Sequence, residues 1–148
     1  MHDQTDNNGE THKRIRTLIA DDSVTFRNAL KQFLICLPHI EVVGAAENGE
    51  HALKLMPGTR PELVLMDVQM PRLNGLDATQ RIRVEFPVVR VIMITLHYSD
   101  MWRNASAAAG ADRFIPKHRL HDELPRALAQ LFPGRASAEE AHHDNRHA

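Results

Sequence analysis

Five residues capable of chemistry stand at equivalent points of a repeating pattern. Asp21 and Asp22 follow the apolar run 15–20, Asp67 closes the run 63–67, Thr95 closes 88–95, and Lys117 follows the short run 114–116. Asp67 poses the sharpest question. The stretch LVLMDVQMPRLNG carries four apolar residues straight into it, and such a run bounded by turn residues reads as a strand buried on both faces. A carboxylate delivered there is costly unless something pairs with it or uses it. Each of the five has a plain reading in isolation: a helix cap for Asp22 or Ser23, an Asx turn for Asp67, a β-branched strand residue for Thr95, and a solvated lysine. Their joint placement at successive strand ends is what points to chemistry. Clustered carboxylates repel and raise one another's pKa. A divalent cation relieves this, and oxygen donors of this kind suit Mg²⁺. A carboxylate beside such a cation can attack phosphorus and form an aspartyl phosphate. The metal and a lysine then neutralise charge, while a hydroxyl and a backbone N–H bind the phosphoryl oxygens. On this reading Asp67 is a phosphoryl acceptor.

The elements that must position these residues are legible as an alternation. Strands read at 15–20, 40–46, 63–67, 88–95 and 114–116. Between them lie helical segments. The first carries Val24, Phe26, Leu30, Phe33, Leu34 and Leu37 near helical spacing and ends at Pro38. Helices at 49–56, stopped by Pro57-Gly58, and at 76–86 follow. The last two span 99–109, closing on Gly110 as a C′ glycine, and 120–132, stopping at Pro133-Gly134. Five strand–helix alternations predict an α/β protein, a doubly wound five-stranded parallel sheet with helices on both faces. In such folds ligands bind at the carboxyl ends of the strands, where the five residues fall.

The 148 residues suit one domain. Apolar residues at 43% and charged residues at 25% are ordinary globular composition. A formal net charge of −1 argues against a general nucleic-acid binder. The polar start has no signal-peptide core, and no run approaches the ~20 apolar residues of a membrane span. A soluble, cytoplasmic protein is expected, and the single Cys36, among Phe33, Leu34, Ile35 and Leu37, is expected to be a buried spectator in a reducing compartment. Residues 1–14 and 133–148 are polar and aperiodic, so disordered tails are expected around a domain at 15–132.

Five marks in order, the acidic pair in LIADDS, the acceptor in LVLMDVQMPRLNG, the Thr in VIMITLH, and the aromatic and the lysine in GADRFIPKH, carry a resemblance to the receiver domain of two-component response regulators. The resemblance covers residues 15–132 and is closest in style to NarL/FixJ-type receivers. It implies the chemotaxis-regulator-like fold with strand order 2-1-3-4-5, and Asp67 as the phosphorylated residue. It also implies Asp22, Asp67 and the backbone carbonyl of Gln69 as direct Mg²⁺ ligands, with Asp21 acting through water. Thr95 and Lys117 would bind the phosphoryl group, Thr95 and Phe114 would switch, and Gln69 and His97 would tune phosphate lifetime. The implied partners are a histidine kinase or histidine phosphotransfer protein, and a downstream protein on the face of the fourth helix, fifth strand and fifth helix. Direct nucleic-acid binding and membrane association are not expected; a monomer or phosphorylation-linked dimer is. His118 follows the lysine where many receivers have a cis-proline, a departure commoner in the subfamily with a helix-turn-helix output. About 15 residues after Phe132 are too few for such a domain, so a stand-alone receiver is expected.

Other readings stay open beside this one. The chain could be a phosphorelay intermediate passing phosphate to a phosphotransfer protein, or a phosphorylation-independent interaction module. A metabolic phosphatase fits poorly, because Asp67 is followed by Val68 and Gln69 and the second acid of a D-x-D pair is missing. His142, His143 and His147 read as a weak transition-metal site at most. His97 reads equally as a plain loop residue, and Trp102 as either a packed core residue or a partner-facing anchor.

Overall fold

The computed structural model describes residues 14–135. The tails expected at the two ends, and with them His142, His143 and His147, lie outside the described residues apart from Arg14 and Pro133 to Arg135. Five strands, β1 (Ile15–Ala20), β2 (Ile40–Ala46), β3 (Leu63–Asp67), β4 (Arg90–Thr95) and β5 (Arg113–Pro116), form one sheet. Its order is β2-β1-β3-β4-β5, and every pairing is parallel. The helices are α1 (Val24–Ile35), α2 (Gly49–Thr59), α3 (Gly75–Glu85), α4 (Asp100–Ala109) and α5 (Leu120–Leu131), with a 3₁₀ turn at Lys117–Arg119 leading into α5.

Side-chain alternation along the strands builds two cores. Ile15, Ile19, Leu63, Leu65, Ile92 and Ile94 face α1 and α5, meeting Leu30, Leu34, Leu124 and Leu128. Leu18, Val64, Met66, Val91 and Met93 face the opposite way, meeting Ala52 and Met56 of α2 and Ala78 and Ile82 of α3. Both faces of the central strands are therefore dry, which is why they read as unbroken apolar runs.

The structure departs from the expected elements in two informative places. α2 does not stop at Pro57-Gly58 but runs to Thr59 and closes on Arg60 in the left-handed conformation, φ 45°. Pro57 is exposed in the last turn, where water can satisfy the carbonyl it leaves unbonded. Cys36 is exposed rather than buried. Its neighbour Ile35 is 70% exposed, because the inward stripe of α1 runs through Leu30 and Leu34 and the helix ends before Cys36. Gly110 closes α4 at φ 102°, as its position predicts.

Candidate functional site

The carboxyl end of β1 hands the chain to α1 through Asp21, Asp22 and Ser23. Ser23 supplies the cap, its hydroxyl accepting from the Phe26 N–H at 3.1 Å. That leaves both aspartates to the site. Asp21 is fully buried, with one carboxylate oxygen accepting from the Ser23 N–H at 2.8 Å and the other 2.6 Å from Lys117 Nζ. Asp22 is exposed. Asp67 is 7% exposed at the end of β3, and its carboxylate lies 3.6 Å from Lys117 Nζ. Ligand oxygens of Asp21, Asp22 and Asp67 all fall within 4.8 Å of one another.

Lys117 is no solvated surface lysine: its side chain is only 7% exposed. No cis peptide bond occurs among the described residues, and the 3₁₀ turn beginning at Lys117 sends the side chain back between β1 and β3. Thr95, 2% exposed at the end of β4, forms a local turn with His97, whose N–H donates to its hydroxyl at 3.2 Å. His97 itself is exposed, as is Gln69. Phe114 is half-buried on the α2/α3/α4 side of the sheet and packs against the Tyr98 ring at 5.7 Å.

The electrostatics follow from this crowding. Burial above all, and then the charge of Asp21, push the Asp67 carboxyl up to about 7; Asp22 adds to the rise, while Lys117 and the Gln69 N–H oppose it. The Gln69 contact is an Asx-type turn, so the plain turn reading of Asp67 holds here. One lysine does not balance three carboxylates. The donor set is entirely oxygen, one member reaches solvent, and the cluster is short of positive charge. Those are the properties of a seat for a hard divalent cation. Beside it opens a cleft of about 440 Å³ lined by Asp22, Gln69, Met70, Pro71, Asn74 and Trp102. Trp102 also packs on the core beneath, as its packed reading expects.

Gly75 shows how tightly the acceptor is framed. A Cβ there would sit 2.0 Å from the Asp67 carbonyl oxygen, and the Gly75 N–H donates to Val68 O at 3.0 Å. Three neighbours escaped the sequence reading. Phe26 read only as a core residue of α1, yet its ring lies under Lys117 Nζ at 3.9 Å. Its place one helical turn after Asp22 was the available signal. Arg27 donates to the backbone oxygen of Asp21, and Tyr98 covers Phe114; neither carries a spacing cue.

Comparison with known proteins agrees with this geometry. The family model described as the response regulator receiver domain matches residues 17–129. The transcriptional regulatory protein DegU of Brevibacillus brevis is 31% identical over 136 residues, covering 92% of this chain and 56% of DegU. A protein-glutamate methylesterase/protein-glutamine glutaminase of Myxococcus xanthus is 43% identical over 111 residues, covering 75% of this chain and 31% of its own length. The response regulator domain of Thermotoga maritima CheB superposes with a TM-score of 0.74 at 30% identity, over 80% of this chain and 96% of that one. The chain thus spans about half the length, or less, of these curated relatives.

Proposed function

The chain belongs to the response regulator receiver domain family, and on that premise we propose that it is a phosphorylation switch whose acceptor is Asp67. The observation that carries this reading is the near-buried Asp67 carboxylate, gathered with Asp21, Asp22 and Lys117 at the carboxyl ends of β1, β3 and β5. The donor is a phosphohistidine on a histidine kinase or a histidine phosphotransfer protein. An Asp67 oxygen bonds to phosphorus as the P–N bond breaks; the electron pair leaves with the imidazole, which takes up a proton from solvent. Lys117 binds one phosphoryl oxygen and balances part of its charge, and Thr95 binds another once its hydroxyl leaves the His97 turn. Asp22, Asp67 and the Gln69 carbonyl would hold Mg²⁺, with Asp21 engaged through water. When bound there, Mg²⁺ supplies the positive charge that keeps Asp67 ionised and screens the incoming phosphoryl group.

The output side is Thr95 and Phe114. Movement of the Thr95 hydroxyl toward the phosphoryl group vacates space that the Phe114 ring can enter, away from Tyr98, and the α4–β5–α5 surface then presents a different face to a downstream protein or a second copy. Gln69 and His97, both exposed at the rim, tune how readily water reaches the phosphoryl group. Among the described residues no helix is long and apolar enough to cross a membrane.

Acetyl phosphate with Mg²⁺ should add one phosphoryl mass to the wild-type protein and none to Asp67→Asn, read by intact mass spectrometry. Equal modification of both would remove Asp67 from its role, and no modification of either would favour a phosphorylation-independent interaction module. Asp22→Ala should weaken Mg²⁺ binding more than Asp21→Ala does. Trp102, on the same cleft as Asp22, provides the fluorescence readout.

A further inference from the structure

Lys117 holds its ammonium in an unusual setting. Its side chain is 7% exposed, so most of its hydration shell is gone. One direction is filled by Asp21 at 2.6 Å. The Asp67 oxygen, at 3.6 Å, is beyond ordinary hydrogen-bond reach. A third direction is filled by the face of the Phe26 ring, 3.9 Å from Nζ to centroid. An ammonium is strongly hydrated on a flexible stem, and an aliphatic wall at position 26 would leave it no substitute for the lost water on that side. The negative face of an aromatic ring provides one, and its attraction grows as the site becomes drier.

We propose that Phe26 is a positioning residue for phosphoryl transfer: its ring face holds the Lys117 ammonium between Asp21 and Asp67, aimed at the oxygens of the incoming group. The inference rests on Asp67 being the acceptor, but the ring contact has a signature of its own. Phe26 is well placed for this because Ser23 caps α1 and fixes its first turn. The residue after the acidic pair by one turn is thereby folded back over the pocket. Asp21 fills one side of the ammonium and Asp67 lies beyond hydrogen-bond reach, so the ring face closes a side that neither carboxylate covers.

The test separates ring electronics from bulk. Phe26→Leu keeps an apolar side chain without the π-face, Phe26→Tyr keeps the face, and mono-, di- and trifluorophenylalanine at position 26 weaken the face stepwise with little change in size. With Mg²⁺ and acetyl phosphate, Phe26→Leu should be phosphorylated about tenfold more slowly, ~1.4 kcal/mol of barrier, while Phe26→Tyr stays near wild type. The fluorinated series should fall progressively between them. Without any phosphodonor, the Lys117 ε-methylene proton resonance should lie upfield in the wild type, from the ring current, and move downfield in Phe26→Leu. Wild-type rates in Phe26→Leu, a flat fluorinated series, or equal slowing of the Leu and Tyr variants would overturn the proposal. Should Phe26→Leu fail to fold, the fluorinated series decides alone. Absence of phosphorylation in the wild type would instead strike the acceptor assignment, and the proton shift would still decide whether the ring holds the ammonium.

Discussion

At the scale of single residues, Asp67 carries a conflict between fold and chemistry. Burial, and then the charge of Asp21, push its carboxyl up to about 7 from a usual value of 3.8. The folded state therefore retains a proton that the unfolded chain has already lost. Below pH 3.8 both states are protonated and Asp67 is neutral in its effect. As pH rises toward 7 the unfolded state is increasingly favoured, and above 7 the penalty is complete. Its upper bound is about 4 kcal/mol. Asp67→Asn should thus be more stable than wild type to urea at pH 8 without Mg²⁺, and the gain should shrink steadily as the pH falls to 5. A gain independent of pH would mean that the carboxylate is not strained by its surroundings. Asp67, Asp21, Asp22, Thr95 and Lys117 were all legible in the sequence, because each sits at a strand end that hydrophobic patterning locates. Phe26 was not, because an aromatic on an amphipathic helix satisfies the core pattern equally well whether or not a cation lies above it.

At the scale of elements, the strands set the site and the glycines show how little slack surrounds it. Gly75 opens α3 directly against the Asp67 backbone, where an added methyl would meet carbonyl oxygen at 2.0 Å. Gly58, in the last turn of α2, has nothing within 4 Å. The same substitution should therefore have opposite effects. Gly75→Ala should destabilise by about 1–3 kcal/mol, as other overpacked positions do, and should weaken Mg²⁺ binding by shifting the loop that carries Gln69. Gly58→Ala should stabilise by about 0.5–1 kcal/mol through helix propensity, with no change in the site. Paired urea melts and Mg²⁺ titrations check both; a Gly75→Ala variant as stable as wild type or more so would contradict the close approach at Gly75. The alternation of strands and helices was visible in the pattern of apolar runs. The bounds of α2 were not, since Pro57-Gly58 is a stop signal only where the chain has somewhere else to go, and the closing residue, Arg60, carries no glycine to announce its left-handed turn.

At the scale of the whole molecule, the two edges of the sheet do different work. The carboxyl edge crowds like charges together, whereas the amino edge joins opposite ones. There Glu62 receives Arg135, one oxygen at 2.8 Å, and Arg135 also donates to Arg14 O at 3.1 Å, tying the end of α5 to the start of β1 and the entry to β3. Asp112, entering β5, accepts from Arg83 at 3.3 Å, Arg90 at 3.1 Å and the Val91 N–H at 2.9 Å. It thereby links α3, β4 and β5. In sequence these are ordinary surface charges, because the partners of Asp112 lie 21 to 29 positions away, Glu62 lies 73 from Arg135, and no periodicity joins them. With its carboxylate only 17% exposed, Asp112 cannot be removed without leaving the Val91 N–H and the Arg83 guanidinium short of a partner. Asp112→Ala should cost about 2 kcal/mol of stability. It should leave Mg²⁺ affinity and the rate of phosphorylation within about twofold of wild type, since the network and the site share no residue and lie at opposite ends of the strands. Asp67→Asn, stabilising but unable to accept phosphate, is the mirror image. Equilibrium urea denaturation beside acetyl phosphate kinetics would measure both quantities on each variant. A proportional loss of phosphorylation in Asp112→Ala would show that the two edges are coupled through β4, and the division of labour between them would fall.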